Sequence, residues 1–251
     1  MSPVSTVLHY SAECFDGMKA YVDGKGHSRL FRPDMNLKRL NSSIRRLLLL
    51  GIVGDELTKC LADLIRLDRD GIPKGNGYSL YVRPTGISTQ ASIGVGASKQ
   101  AKPFIILSPV GPYYPDSFNP VKLCVNDRYI RATSRGTGRY KIGPTALLVF
   151  SPKLVYPPLS RGDILADITR DSTLHLTCEW KEFKVTEDNI TMKQVQKARK
   201  EGRPIEVFGS GTAAVVSPVA TIHYMNEDLA ISLDGTDGKA GKLVPCPRLA
   251  A

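Results

Sequence analysis

Four prolines within twelve residues divide this sequence into two parts. They lie in the stretch SPVGPYYPDSFNPV, as Pro109, Pro112, Pro115 and Pro120. Because proline has no backbone N–H and disfavours helical geometry at the residue before it, a helix or a central strand cannot run through this stretch. We therefore predict an interdomain linker over 112–120, a small N-terminal α+β domain over 1–111 and a large C-terminal domain over 121–251.

Before the prolines, turn residues and apolar spacing predict mixed α and β structure. Asp23-Gly24 lies between the β-prone runs 18–22 and 28–31, which predicts a hairpin. Apolar residues at helical spacing predict one helix from a cap at Asp34 to a stop at Gly51, and a second helix over 55–71. The remaining strands are expected at 6–10, 78–86 and 102–111.

Beyond the prolines, the same signals predict two helices and several short strands. One helix is expected to start near Thr169 and another to cover 191–201. Strands are expected at 122–125, 147–150, 153–156, 204–208 and 213–218. The whole chain is therefore predicted to be a mixed α and β (α+β) protein with two domains.

Charge and composition narrow the class of partner. With 34 Lys and Arg against 24 Asp and Glu, the formal net charge is +10. The densest basic cluster, 193–203, has the spacing of a solvated helix face, so we expect no nucleic-acid partner and favour anionic small molecules or a phosphate-bearing cofactor.

No apolar run is long enough to span a bilayer, and no targeting segment is visible. Five cysteines without a C-x-x-C pair favour reduced thiols in an intracellular compartment and give no metal site.

Seven stretches of the sequence, in order, resemble the branched-chain amino acid aminotransferases. They are STVLHYSAECFDGMKAY, LFRPDMNLKRLNSS, YSLYVRPTGI, VGPYYPDSFNPVKL, RYIRATSRGTGRYKIG, PPLSRGDILADITRDS and GRPIEVFGSGTAAVVSPV. The resemblance implies the two-domain, D-amino acid aminotransferase-like fold of the fold type IV enzymes and pyridoxal 5′-phosphate as cofactor. It also implies amino transfer between leucine, isoleucine or valine and 2-oxoglutarate, and a homodimer. Because no targeting segment is visible, we expect a cytoplasmic location, and a mitochondrial one is the alternative because the N-terminus is expected to be truncated.

The resemblance assigns Lys141 and Arg83 the two central roles. Lys141, in RGTGRYKIGPT, matches the family's Schiff-base lysine, and the flanking glycines suit the close approach of a cofactor. A solvated turn cation is the alternative for a lysine without that match. Arg83, in YVRPTG, matches the phosphate-binding arginine, whose planar guanidinium suits phosphate oxygens. A surface charge at a strand end is the alternative for Arg83.

Other residues of the implied site are assigned by the same resemblance. Ile168 and Thr169 precede a predicted helix whose first amides would face the phosphate. Thr212 lies with Gly209 and Gly211 in a second phosphate loop. The substrate-binding positions are Tyr10, Phe15, Tyr113 and Ala213. Aromatic residues at such spacings are also typical of a hydrophobic core, and a tight turn alone would explain the glycines.

The sequence departs from the family at several places. Pro144-Thr145 stands where the family has a tyrosine that contacts the cofactor, and no stretch resembles the strand whose glutamate pairs with the pyridine nitrogen. An internal block is therefore expected to be missing after residue 150, and the chain is expected to begin inside the family's first domain. Asp167 replaces a glycine beside the phosphate-binding Ile168-Thr169 pair. These departures keep three alternatives open: a non-catalytic remnant, a partner-binding paralogue, or another type IV enzyme such as a D-amino acid aminotransferase or an aminodeoxychorismate lyase.

Overall fold

The computed structural model divides the chain into two compact units. The first is Met1–Gly111 with Arg135–Leu147, and the second is Pro112–Ser134 with Leu148–Ala251. The stretch that carries Lys141 therefore belongs to the first unit, although the predicted division assigned it to the second domain. The structure describes residues 1–75, 77–112, 119–126, 132–133, 135–143, 155–156, 158–181, 184–203, 205–213 and 215–233.

A five-stranded antiparallel sheet forms the first unit. Its strands are β1 (Glu13–Phe15), β2 (Met18–Val22), β3 (Ser28–Leu30), β4 (Ser79–Ser88) and β5 (Ala101–Val110). The long strand β4 pairs with β5 along its whole length and with both β1 and β2 on its other side, while β3 pairs with β2. The predicted hairpin and the strands predicted at 78–86 and 102–111 are confirmed.

Two amphipathic helices cover one face of this sheet. They are α2 (Pro33–Arg46) and α3 (Gly54–Leu67), followed by a 3₁₀ turn at Arg69–Gly71. Their apolar stripes pack against alternate residues of β2 and β4 in a single core, whose fully buried members include Leu40, Leu61, Met18, Leu80 and Val82. The side chains that alternate with these core residues lie on the opposite face of the sheet.

Three local predictions for the first unit are wrong. Residues Thr6–Tyr10 form a short helix, α1, not a strand, since the amide of Thr6 is held by the carbonyl of Gln90 and Ser5 bridges to Ala91. Asp34 is not the cap of α2, because Pro33 occupies the first helical turn and Arg32 takes the cap position. That helix ends at Arg46, well before Gly51, and Leu48 adopts a left-handed backbone with φ 55°.

The second unit combines a four-stranded sheet with two helices. Strands β6 (Val121–Val125), β9 (Phe208–Gly211) and β11 (Glu227–Ala230) all pair with the long strand β10 (Val215–Tyr224), and β6 alone is parallel to it. A two-stranded ladder joins β7 (Val155–Tyr156) to β8 (Thr186–Glu187). The helices are α4 (Ile168–Trp180) and α5 (Met192–Lys200), which confirms both predicted helices.

Strand positions in the second unit follow the predictions unevenly. The strand at 122–125 is confirmed, and that at 213–218 is the first part of β10. The strand predicted at 204–208 is wrong, because pairing begins only at Phe208 and continues through Gly211. The strand predicted at 147–150 lies outside the described residues. Among the residues that the structure describes, no helix is both long and apolar enough to cross a bilayer.

Candidate functional site

The sheet face of the first unit that lies away from α2 and α3 carries a cluster of cations and aromatic rings. Arg83 and Tyr81 are two residues apart on β4 and so project to the same face, and Phe15 on β1 pairs with Thr85 of the same row. All three are partly exposed, in contrast to the buried Leu80, Val82 and Pro84 that alternate with them. The sequence therefore places this polar row opposite the hydrophobic core.

Lys141 joins this cluster from a distant part of the sequence. Its carbonyl accepts a hydrogen bond from the amide of Phe15 at 3.1 Å, and its amide donates to Oγ of the buried Ser43 on α2 at 3.0 Å. Next to it, Ile142 forms an antiparallel bridge with Cys14 and is buried in the core. These contacts fix the backbone of Lys141, and its Nζ lies 5.4 Å from the centroid of the Phe15 ring.

Arg83 lies against the same ring. The Cζ of its guanidinium is 4.5 Å from the Phe15 centroid and 5.2 Å from the Tyr81 centroid, within cation–π distance of both. Its Nη2 donates to the Tyr81 hydroxyl at 3.2 Å. The structure thus brings two predicted site residues, Lys141 and Arg83, against the ring of a third, Phe15.

A buried ion pair anchors the end of β1 beside this cluster. The carboxylate of Asp16, which has no exposed surface, accepts hydrogen bonds from Nε and Nη2 of Arg39 at 2.8 and 2.7 Å. It also accepts from Nδ2 of Asn36 and the amide of Gly17, both at 2.7 Å. Because both charges are buried and multiply hydrogen-bonded, this network fixes the turn that follows Phe15.

Two predicted substrate-binding residues are not brought to this cluster by any described contact. Tyr10 is 45% exposed at the end of α1, and its hydroxyl donates to the carbonyl of Ile93. Tyr113 lies outside the described residues. Residues 144–154, which include Pro144-Thr145 and the place of the predicted internal deletion, also lie outside the described residues.

Within the second unit, Ile168 and Thr169 begin α4, as predicted. Asp167 is the N-cap of this helix, and its Oδ2 accepts from the amide of Arg170 at 2.9 Å. In the described part of the chain, the amides of Ile168 and Thr169 donate to no residue, as is usual in the first turn of a helix. The Asp167 carboxylate therefore takes one amide at this helix start and leaves two.

Thr212 and Ala213 lie in the tight connection between β9 and β10. Val215 pairs with Gly211 and Val216 with Ser210, so the chain reverses within three residues. Thr212 is partly buried and Ala213 is exposed. Strand β9 packs against α4, so the second unit holds the two predicted phosphate-binding segments on neighbouring elements.

Tyr81 is a site residue that sequence reasoning missed. Its alternation with Arg83 in YSLYVRPTG was the available signal, because residues two apart on a strand share a face.

Cys14 is a buried thiol of low reactivity. Burial raises the pKa of this thiol to about 12, and the Asp16 and Glu13 carboxylates raise it further. No cluster of metal-ligating side chains occurs among the described residues.

Comparison with solved structures identifies the fold as that of fold type IV aminotransferases. The branched-chain amino acid aminotransferase of Escherichia coli superposes with a TM-score of 0.75 at 21% identity, over 99% of this chain and 86% of that chain. A second branched-chain amino acid aminotransferase, from T.th. and solved with pyridoxamine 5′-phosphate, gives a TM-score of 0.76 at 22% identity, over 100% of this chain and 86% of that chain. The predicted fold class is confirmed.

Sequence relatives then identify the family. The branched-chain-amino-acid aminotransferase of Dictyostelium discoideum is 45% identical over 273 residues, covering 93% of this chain and 72% of its own length. That of Monosiga brevicollis is 39% identical, covering 97% and 72%, and the mitochondrial one of Mus musculus is 40% identical, covering 92% and 69%. No family model matches the sequence. The chain belongs to the branched-chain amino acid aminotransferase family, as its seven motifs predicted.

The length of the alignment adds one fact about this chain. The 273 aligned positions with the Dictyostelium discoideum relative exceed the 251 residues of the whole chain. That relative therefore carries internal residues that have no counterpart here.

Proposed function

We propose that this chain is a transaminase that moves the amino group between leucine, isoleucine or valine and 2-oxoglutarate, with pyridoxal 5′-phosphate as cofactor. The observation that carries the proposal is the meeting of Lys141 and Arg83 at the Phe15 ring, in a chain 45% identical to a branched-chain-amino-acid aminotransferase. A phosphate-binding cation and an amine on one polar sheet face are the two groups that such a cofactor requires.

The described residues fit the cofactor's phosphate. Nε of Arg83 is buried and has no hydrogen-bond acceptor among the described residues, a state that costs about 1–3 kcal/mol unless a ligand or water supplies the acceptor. In the second unit, taken by itself, the amides of Ile168 and Thr169 and the turn at Thr212 are proposed to bind phosphate, since unpaired amides at a helix start favour anions.

Lys141 is the proposed catalytic residue. When bound, pyridoxal phosphate supplies an electron sink for negative charge at the substrate Cα. Lys141 would hold the cofactor through its Nζ in the resting state, and its free amine would move a proton at the substrate Cα during transfer. The two backbone hydrogen bonds of Lys141, to Phe15 and Ser43, would keep its side chain in reach during these transfers.

Tyr10, Phe15 and Tyr113 are each proposed to bind the substrate side chain, and Ala213 is proposed to bind the substrate. Aromatic walls would select aliphatic side chains by excluding water from them.

We further propose a homodimer and a cytoplasmic location. Relatives are named cytosolic in Caenorhabditis elegans and mitochondrial in Mus musculus. The division into 1–111, 112–120 and 121–251 likewise stays a prediction.

The proposal is tested by an amino-transfer assay with leucine and 2-oxoglutarate, in the presence of pyridoxal phosphate. Because no stretch supplies the glutamate partner of the pyridine nitrogen, we expect turnover to be about 10²–10³ lower than in a relative that has it. Lys141→Ala should abolish this turnover. The matched control is Lys59→Ala, which removes a lysine that is 70% exposed in a surface pair and should change nothing.

Each outcome of this assay is decisive for a different part of the proposal. Glutamate formed by the unmodified chain and lost in Lys141→Ala supports the transaminase. Equal glutamate formation by both would contradict the role of Lys141. Cofactor binding without any transfer would contradict the activity and leave the non-catalytic remnant.

A further inference from the structure

We infer that Cys124 is a nucleophilic thiol that forms a mixed disulfide with an anionic low-molecular-weight disulfide. The site lies on the outward face of the four-stranded sheet of the second unit, and it does not depend on the proposed amino transfer. It consists of three residues on neighbouring strands, which form one row across the sheet: Cys124 on β6, His223 on β10 and Asp228 on β11.

The register of the sheet places these three side chains next to one another. Cys124 pairs with His223 in the parallel ladder of β6 and β10, and His223 pairs with Asp228 in the antiparallel ladder of β10 and β11. Paired residues of adjacent strands project to the same face, and adjacent strands are about 4.8 Å apart. Ile222 and Leu229, which alternate with His223 and Asp228, are buried in the core of the unit, so the row lies on the solvent side.

Asp228 fixes the orientation and the tautomer of the His223 ring. Nδ1 of His223 lies 2.6 Å from Oδ1 of Asp228. Because an ionised carboxylate can only accept a hydrogen bond, Nδ1 carries the proton and the neutral ring has its basic lone pair at Nε2. In the described part of the chain, no residue forms a hydrogen bond with Nε2. His223 is therefore a base on the strand next to Cys124, and the charge of Asp228 stabilises the imidazolium that forms when the ring takes a proton.

The row is open to a reagent from solvent. Cys124 is exposed, and the side chains of His223 and Asp228 are 48% and 64% exposed. Lys122 lies two residues before Cys124 on β6, so it projects to the same face, and it is also exposed. Its positive charge would attract an anionic disulfide, such as glutathione disulfide, to the thiol.

The reaction is a thiol–disulfide exchange. Nε2 of His223 takes the proton of the Cys124 thiol, and the resulting thiolate attacks one sulfur of the disulfide. A new S–S bond joins Cys124 to that half of the reagent, and the original S–S bond breaks. The other half leaves as a thiolate and takes the proton from the imidazolium. Cys124 is thereby oxidised, and the departing half is reduced to a thiol.

Cys178 provides an internal control within the same unit. It is exposed on α4, and His175 lies one helical turn before it. Among the described residues, no carboxylate pairs with His175. Cys178 therefore has a histidine close in sequence but lacks the oriented histidine–carboxylate pair that accompanies Cys124.

The test incubates the full chain with glutathione disulfide at neutral pH and follows the mixed disulfide at each cysteine by mass spectrometry. Cys124 should react about tenfold faster than Cys178. His223→Gln should slow the reaction of Cys124 about tenfold and Asp228→Asn about threefold, and neither should change the rate at Cys178.

Two further variants complete the test. Lys122→Gln should slow the reaction of Cys124 about threefold with glutathione disulfide and leave its reaction with the neutral 2-hydroxyethyl disulfide unchanged. The matched control is His175→Gln, which should leave the rate at Cys124 unchanged.

Selective slowing of Cys124 by His223→Gln supports the inference. Equal rates at Cys124 and Cys178 in the unmodified chain, or a Cys124 rate that His223→Gln does not change, would overturn it. Parallel slowing of both cysteines by His223→Gln would indicate a structural effect and would overturn it as well. Equal effects of Lys122→Gln on the two reagents would overturn the preference for an anionic disulfide.

Discussion

Replacing Asp16 with asparagine should lower the free energy of unfolding by roughly 3–5 kcal/mol, the usual cost of removing one partner of a buried ion pair. The Asp16 side chain is fully buried and that of Arg39 is 6% exposed, so neither charge is solvated in the folded chain. Asparagine keeps the volume but presents an amide N–H₂ to groups that are themselves donors: Asn36, Arg39 and the Gly17 amide. Arg39 would then keep a buried charge without a counter-charge from Asp16.

Urea denaturation measures this loss. The expected shift of the midpoint is on the order of 1 M or more, given typical denaturant slopes. Far-UV circular dichroism follows both units, whereas the fluorescence of Trp180, the single tryptophan of the chain, reports on the second unit. Because two compact units need not unfold together, the two signals are compared rather than averaged.

Two further variants test whether the buried Asp16–Arg39 pair stabilises the fold. The surface pair Glu56–Lys59, whose side chains are 65% and 70% exposed, is the matched control, and Glu56→Gln should cost less than about 0.5 kcal/mol. Combining Asp16→Asn with Arg39→Gln removes the second charge of the pair as well, so the double variant should lose less than the sum of the single losses. A cost below about 1 kcal/mol for Asp16→Asn, or strict additivity, would refute the assigned role of the pair.

Three other perturbations have defined outcomes. Burial raises the thiol pKa of Cys14 to about 12, so Cys14 should resist iodoacetamide at pH 8 until the chain unfolds. The exposed thiols should react under the same conditions, and mass spectrometry maps the labelled residues. The exposed thiols are Cys60, Cys124 and Cys178. Early labelling of Cys14 would contradict its burial. Asp167→Asn keeps the helix cap but removes a charge beside the proposed phosphate, so pyridoxal phosphate should bind about threefold to tenfold more tightly in dialysis, and weaker binding would count against the site. Gly17→Ala should lower the unfolding free energy by about 1–3 kcal/mol through overpacking against Tyr81, with part of the loss recovered in Tyr81→Phe, and a neutral effect would contradict the close approach.

Local sequence patterns correctly predicted the helices and turns whose conformation depends on interactions between residues close in sequence. The stripes of α2 and α3 and the Asp-Gly turn of the first hairpin are of this kind, since spacing and turn chemistry act within a few residues. The helix at Thr6–Tyr10 is of the other kind. Five β-prone residues read as a strand, but the start of the helix is held by the distant Gln90 and Ala91. Short segments follow tertiary contacts rather than propensity.

The arrangement of the candidate site also depends on contacts between residues far apart in sequence. Family motifs identified Lys141, Arg83 and Phe15 one by one, yet their meeting depends on a bridge between Cys14 and Ile142, residues that are far apart in sequence. Ser43 holds the Lys141 amide from the side of α2, and no pattern around Ser43 indicates that contact. Sequence comparison singled out Asp167 only as a replacement of glycine, and its use as a helix cap became visible only from the position of the Arg170 amide.

The claim that Lys141 is the cofactor-bonding residue is tested most directly by chemical trapping. The purified chain is incubated with pyridoxal phosphate, treated with borohydride to fix any lysine–cofactor bond, digested, and mapped by mass spectrometry. We predict one dominant phosphopyridoxyl adduct, on Lys141, that disappears in Lys141→Ala and persists in Lys59→Ala. An adduct on other lysines only, or none at all, would contradict the assignment of Lys141.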